Sequence, residues 1–185
     1  MALDPLADHA RLAALQRAID EWIELAGERL CLASPAVSGW SPEQHLAHVA
    51  LANELVLRNL KSLALGRGAL VVAGGEPKPG VSEMLERGRL PRGVAQAPRM
   101  VRPPEAIERE LMLQWLADGR RELAALDPRT VVAGALRVPH QLLGPLDAPQ
   151  WLRFGLVHTR HHLGIAREVL LALDGSFEPV LSLPD

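Results

Sequence analysis

Seven histidines stand in a chain of 185 residues that has no Tyr, one Cys and only two lysines, Lys61 and Lys78. Three of the seven fall in one run, His158-Thr-Arg-His161-His162. Residues four apart on a helix project side by side, so the imidazoles of His158 and His162 can converge on one ion. By 3.6-residue spacing these two share a stripe with Trp151, Phe154, Gly155, Ile165, Val169 and Ala172, the face that such a helix buries. His161 is directed toward Val157, Gly164 and Glu168, a more polar side, and ranks below His162 as a ligand. Neutral imidazoles buried together need partners for their ring nitrogens, and a shared metal satisfies one nitrogen of each. The plainer alternative is a pair of core histidines bonded to backbone or water.

A third imidazole favours the metal. His48 lies on a stripe with His45, Leu51, Ala52 and Leu55, an apolar surface that must face the interior. Three neutral imidazoles leave coordination positions open, as in catalytic zinc sites, and suit nickel, cobalt or ferrous iron as well. The candidate metal ligands are therefore His48, His158 and His162, with zinc or nickel the first candidates for the divalent ion. His45, one turn before His48, is placed to cap or line the entrance. Several chemistries are disfavoured. The zinc-protease HExxH motif is absent, no Glu stands three residues before a His as in di-iron carboxylate bundles, and no Gly-rich phosphate loop follows a strand. The lone Cys31 has no partner for a disulfide or a CxxC site and reads as a buried small apolar residue in a reducing compartment.

The elements that must hold these histidines are helical. Asp4-Pro5 caps a first helix over about 5–31, and Ser41-Pro-Glu-Gln44 is the capping box of a second over about 41–65. A third runs over about 104–126 with Ile107, Leu111, Trp115 and Leu123 on its apolar face, and Asp147-Ala-Pro-Gln150 opens a fourth over about 148–173. Between the second and third lies a Gly/Pro-rich connection, 66–103, in which residues 82–87 can form a turn or two of helix. It carries seven basic residues against three acidic ones, a local +4 inside a chain whose net charge is −2. That loop either covers the mouth of the site and attracts an anionic cofactor or substrate, or is a solvated surface loop. With no strand alternation and no repeat, the architecture is all-α, a four-helix bundle forming a single domain over 1–185.

These stretches resemble a known family. Trp40-Ser-Pro-Glu-Gln-His45-Leu-Ala-His48-Val49 is similar to the second-helix motif of the DinB-like metal-binding bundles, whose final His is a ligand. His140-Gln-Leu-Leu-Gly144-Pro-Leu146, Gln150-Trp-Leu-Arg-Phe154 and His158-x-x-His161-His162 resemble the segment that leads into and opens that family's last helix. There the first and last His of HxxHH complete a three-histidine site, which maps onto His48, His158 and His162, the trio already selected by the stripes. Two positions depart from the pattern. Gln141 stands where proline is common, and Ile165 stands where many members place Gln, which removes a polar group near the site.

The resemblance implies a divalent-metal site at one end of the bundle, often in a homodimer, and relatives that are transferases or isomerases using a low-molecular-weight thiol. The expected function is a divalent-metal-binding protein, acting as a metal-dependent hydrolase or a thiol-dependent transferase or isomerase on a small-molecule substrate. The alternative is a non-enzymatic metal-containing or small-molecule-binding bundle. No global basic excess points to nucleic acid, and no stretch of roughly 18 apolar residues or secretory leader points to a membrane, so the chain is expected in the cytoplasm.

Overall fold

The computed structural model describes residues 3–175. Four long helices dominate: α1 (Pro5–Ala26), α2 (Pro42–Ala64), α4 (Arg109–Ala125) and α5 (Ala148–Leu173), with a short α3 (Val81–Arg87) in the connection between α2 and α4. Their starts follow the caps. The Asp4 side chain accepts from the amides of Leu6 and Ala7, while Ser41/Gln44 and Asp147/Gln150 form reciprocal capping boxes at the heads of α2 and α5. α5 packs against both α2 and α1, and α4 packs against the same two. The shared core is made of Leu12, Leu15, Ile19 and Trp22 from α1, Leu46, Val49, Val56 and Leu60 from α2, Met112 and Leu116 from α4, and Leu152, Leu163 and Leu170 from α5.

Three features differ from the sequence expectation. α1 ends at Ala26, where Gly27 takes a φ of +53°, and the chain continues as a 3-10 turn over Gly27–Cys31. α4 begins at Arg109 rather than near 104, because the carbonyls of Pro104 and Glu105 receive the Gln44 side-chain amide at 3.2 Å each instead of helical N–H groups. Its buried stripe is Met112, Leu116, Gly119 and Leu123, one residue out of step with Leu111, which is exposed.

The third difference is a small sheet, which the mostly helical fold, consistent with the expected all-α class, carries beside its helices. β1 (Val72–Ala73), β2 (Leu136–His140) and β3 (Gly144–Leu146) pair antiparallel in that order, with Val72 opposite Arg137 and Val138 opposite Leu146. Pro139 within β2 and the shortness of the strands mask any alternation. The sheet anchors the long connection. The amide of Gly74 donates to Ala135 at 2.7 Å and that of Lys78 to Leu143 at 2.8 Å, while the Trp151 indole donates to the Val138 carbonyl at 3.1 Å, so the β2–β3 hairpin is tied to the first turn of α5.

Candidate metal centre and its cavity

The contact between α2 and α5 positions the histidines. At Gly155 a Cβ would stand 3.2 Å from one methyl of Val56 and 3.5 Å from the other, so the bare glycine lets the helices approach closely. One turn on, His158 meets His48 with their Nε2 atoms 3.1 Å apart. A further turn brings in His162, whose ring centroid lies 4.4 Å from that of His48 and 4.5 Å from that of His158. One nitrogen from each of the three lies within 4.8 Å of the others. Zinc–nitrogen bonds in a tetrahedral shell place neighbouring ligand nitrogens about 3.3 Å apart. The His48–His158 edge already stands near that spacing.

The nitrogens not facing the centre are largely committed. His48 Nδ1–H donates to the Val101 carbonyl at 2.7 Å, which leaves Nε2 of the neutral ring with its lone pair toward His158. His162 Nδ1 is 3.0 Å from His45 Nδ1, and His45 Nε2 is 3.0 Å from the Ser38 hydroxyl. Such outer partners fix ring orientation at metal sites. His158 Nδ1 is buried without a hydrogen-bond partner. Trp40 packs against His48 with ring centroids 5.1 Å apart and stacks on His162 at 6.2 Å, and Phe154 lies against His158 at 5.2 Å.

Electrostatics favour the neutral, ligand-competent state of the rings. Burial, reinforced by repulsion from the neighbouring imidazoles, holds His45 down to about 3 and pushes His158 and His162 well below the ordinary imidazole value. Burial also lowers His48, against the opposing pull of the Val101 carbonyl, and His161, with Arg92 adding to the effect. A metal site needs this protonation state, since only the unprotonated nitrogen binds.

The three histidines line a cavity of about 890 Å³. Its helical wall includes Ala52, Leu55, Phe154 and Ile165, and its roof is the part of the connection from Leu90 to Arg102 together with the turn after His140. The roof lies over the site, as one of the two expectations for this loop had it, but it presents mostly apolar side chains: Leu90, Pro91, Val94, Ala97 and Val101. Of its basic residues only Arg92 and Arg102 reach the lining, and Arg92 is bonded to Glu168 of α5 at 2.8 Å. Arg87 pairs with Glu83 within α3.

A sequence profile described as the DinB superfamily matches residues 11–166, a span from α1 to late α5 that includes all three histidines. The chain belongs to the DinB superfamily. No curated protein and no solved structure matches it.

In this DinB chain the other sequence candidates occupy different places. His161 lines the cavity outside the trio, and His45 is buried behind His162 rather than at an entrance. The polar residues close to the ligands in sequence are structural. Glu43 is bonded to Arg109 at 3.2 Å, Asn53 and Thr159 are bonded to each other in the core, and Arg153 grips the buried Asp8 through contacts of 2.9 Å to both of its oxygens. Cys31 is exposed, not buried, its thiol donating to the Glu28 carbonyl at 3.0 Å. The sequence assigns no role to Ser38, Val101 or the ring of His140: Val101 meets His48 from 53 residues away, whereas Ser38 reaches His45 and His140 reaches the amides of Leu142 and Leu143 within a few residues. Among the described residues no helix is long and apolar enough to cross a membrane.

Proposed function

We propose that this DinB-superfamily chain is a divalent-metal-binding protein in which His48, His158 and His162 hold the ion, zinc or nickel, on the floor of the cavity. The reading is carried by one observation, the convergence of three neutral imidazoles whose nitrogens lie within 4.8 Å of one another. The donor set fits such an ion: nitrogen ligands suit zinc and nickel, and three of them leave positions open toward the cavity. When bound, the ion would act as a Lewis acid that lowers the pKa of a thiol or water.

The chain's own residues then have definite tasks. Val101 fixes the His48 ring, His45 and Ser38 fix His162, and Phe154 packs on His158. The roof from Leu90 to Val101 adds apolar side chains to the lining, where Arg92 stands paired with Glu168. On this basis the activity is that of a thiol-dependent transferase or isomerase, or a metal-dependent hydrolase, acting on a small molecule with a largely apolar body. The four long helices are read as the DinB four-helix bundle, working as a homodimer that light scattering would detect.

Metal analysis of the purified protein tests the metal reading. One ion per chain is expected, with loss of the ion on replacing any of the three histidines by Ala. A protein that takes up no ion, or whose affinity is indifferent to those replacements, contradicts it. The competing reading, a metal-containing structural bundle, requires a fourth protein ligand. It would be supported by a coordination shell closed to exogenous thiols.

A further inference from the structure

His140 ends β2 at the edge of the cavity and is one of its lining residues. Its Nδ1 accepts from the backbone N–H groups of Leu142 and Leu143, both at 3.2 Å. A ring nitrogen that accepts from N–H groups carries a lone pair, so the proton of the neutral ring sits on Nε2. Burial, with Lys78 adding to it, holds this imidazole down to about 4, and the ring stays neutral at physiological pH. The ring is also clamped, edge-on to Phe154 at 4.7 Å and tilted against Trp151 at 5.5 Å, and Phe154 leads directly to His158.

The Nε2–H has no hydrogen-bond acceptor among the described residues, and the nitrogen is not sealed off in the interior. It is a donor of fixed direction and fixed tautomer on the wall of a mostly apolar space. A ligand that fills this space with hydrocarbon alone strips water from the N–H and leaves it unpaired, whereas one with an acceptor at that point restores the bond.

We propose that His140 is a ligand-binding residue, whose neutral Nε2–H donates to a carbonyl or similarly polarised oxygen of a small molecule with its apolar body in the cavity. The substrate class of the proposed function is thereby narrowed to carbonyl-bearing, largely apolar molecules. That narrowing rests on the cavity being the substrate site; the hydrogen bond itself requires no metal.

The test compares 2-hexanone with 2-methyl-1-hexene, which replaces the carbonyl oxygen by a CH2 group of similar shape, against the full-length protein. Dissociation constants come from titrations of the Leu and Ile methyl resonances, the tautomer from spectra of protein with 15N-labelled histidine, and metal content from the same samples. The key variant is His140→Asn, because the Asn oxygen can still accept from the amides of Leu142 and Leu143 while the Nε2 donor is lost. His140→Gln, which sends an amide N–H toward the position of Nε2, is the rescue.

The ketone is expected to weaken about fivefold or more in His140→Asn while the alkene changes by less than about twofold, the Gln variant recovering part of the loss. Wild-type spectra should show Nε2 protonated. Equal weakening of both ligands assigns His140 a packing role and overturns the proposal. So does no change in either ligand, no binding of either to the wild type, or a proton on Nδ1. Absence of a stoichiometric ion in these samples contradicts the metal reading alone, and the ketone–alkene difference still decides the role of His140.

Discussion

The helical wall of the cavity, where α2 meets α5, and its roof, built from residues 90–102 and the turn after His140, hold their polar groups by different means. On the helical wall the spacing of His158 and His162 along one helix, and the close approach at Gly155, bring the imidazoles together. On the roof, backbone groups do the positioning: the Val101 carbonyl accepts a hydrogen bond from His48 Nδ1–H, and the amides of Leu142 and Leu143 fix the tautomer of His140. Side-chain chemistry therefore concentrates on the helices, while the irregular segments supply orientation and an apolar cover.

Substitutions can separate the two walls. The largest effect is expected from His48→Ala or His158→Ala, which should lower zinc affinity by more than about 100-fold in a chelator-competition titration, beyond the 10- to 100-fold range of outer partners. His161→Ala, on the same wall but outside the trio, should change it by less than about threefold. If His161→Ala matched the ligand variants, the division between the trio and its neighbours would fail.

Next comes Gly155→Val. It forces a branched side chain against Val56 and should destabilise the fold by about 2 kcal/mol in urea unfolding. Val94→Ala on the roof, at a residue 70% exposed, should stay within about 0.5 kcal/mol. Equal effects would mean that the helix contact is no more tightly packed than its cover. A smaller effect, about tenfold in zinc affinity, is expected for His45→Ala, which removes the partner of His162 without touching the cavity.

The last effect concerns pH. The folded-state pKa of His140 is held down to about 4, below the ordinary 6.5. The unfolded chain therefore takes up this proton first, and the ring's contribution to stability is complete above about pH 6.5 and is lost as the pH falls toward 4. His140→Asn should flatten that part of the stability–pH curve, measured by urea midpoints at successive pH values. A curve unchanged in slope would show that the ring is not held neutral by its surroundings.

Much of the helical wall was legible in the sequence and little of the roof. Ser41-Pro-Glu-Gln44 and Asp147-Ala-Pro-Gln150 mark the starts of α2 and α5, and the stripes of His48 and of His158/His162 follow from those starts. The sequence places the α4 stripe one residue out of step because Trp115 is half-buried beside Met112 and Leu116, and it hides the helix start because Gln44, sixty residues earlier, satisfies the carbonyls ahead of it. Much of the roof depends on such distant pairings. No local pattern announces that β2 pairs with β1 across the long connection, that Val101 meets His48, or that His45 reaches His162. The one available signal was the turn chemistry of His140 to Gly144, a hairpin of short strands obscured by Pro139 and Pro145.

Anomalous scattering from a crystal grown with zinc, collected on both sides of the metal edge, would locate the ion among the three histidines. A single strong peak is expected within bonding distance of His48, His158 and His162, with no other protein ligand and its remaining positions facing the cavity. A peak whose shell is completed by His45, His161 or any other side chain, or no peak between the three histidines, would contradict it.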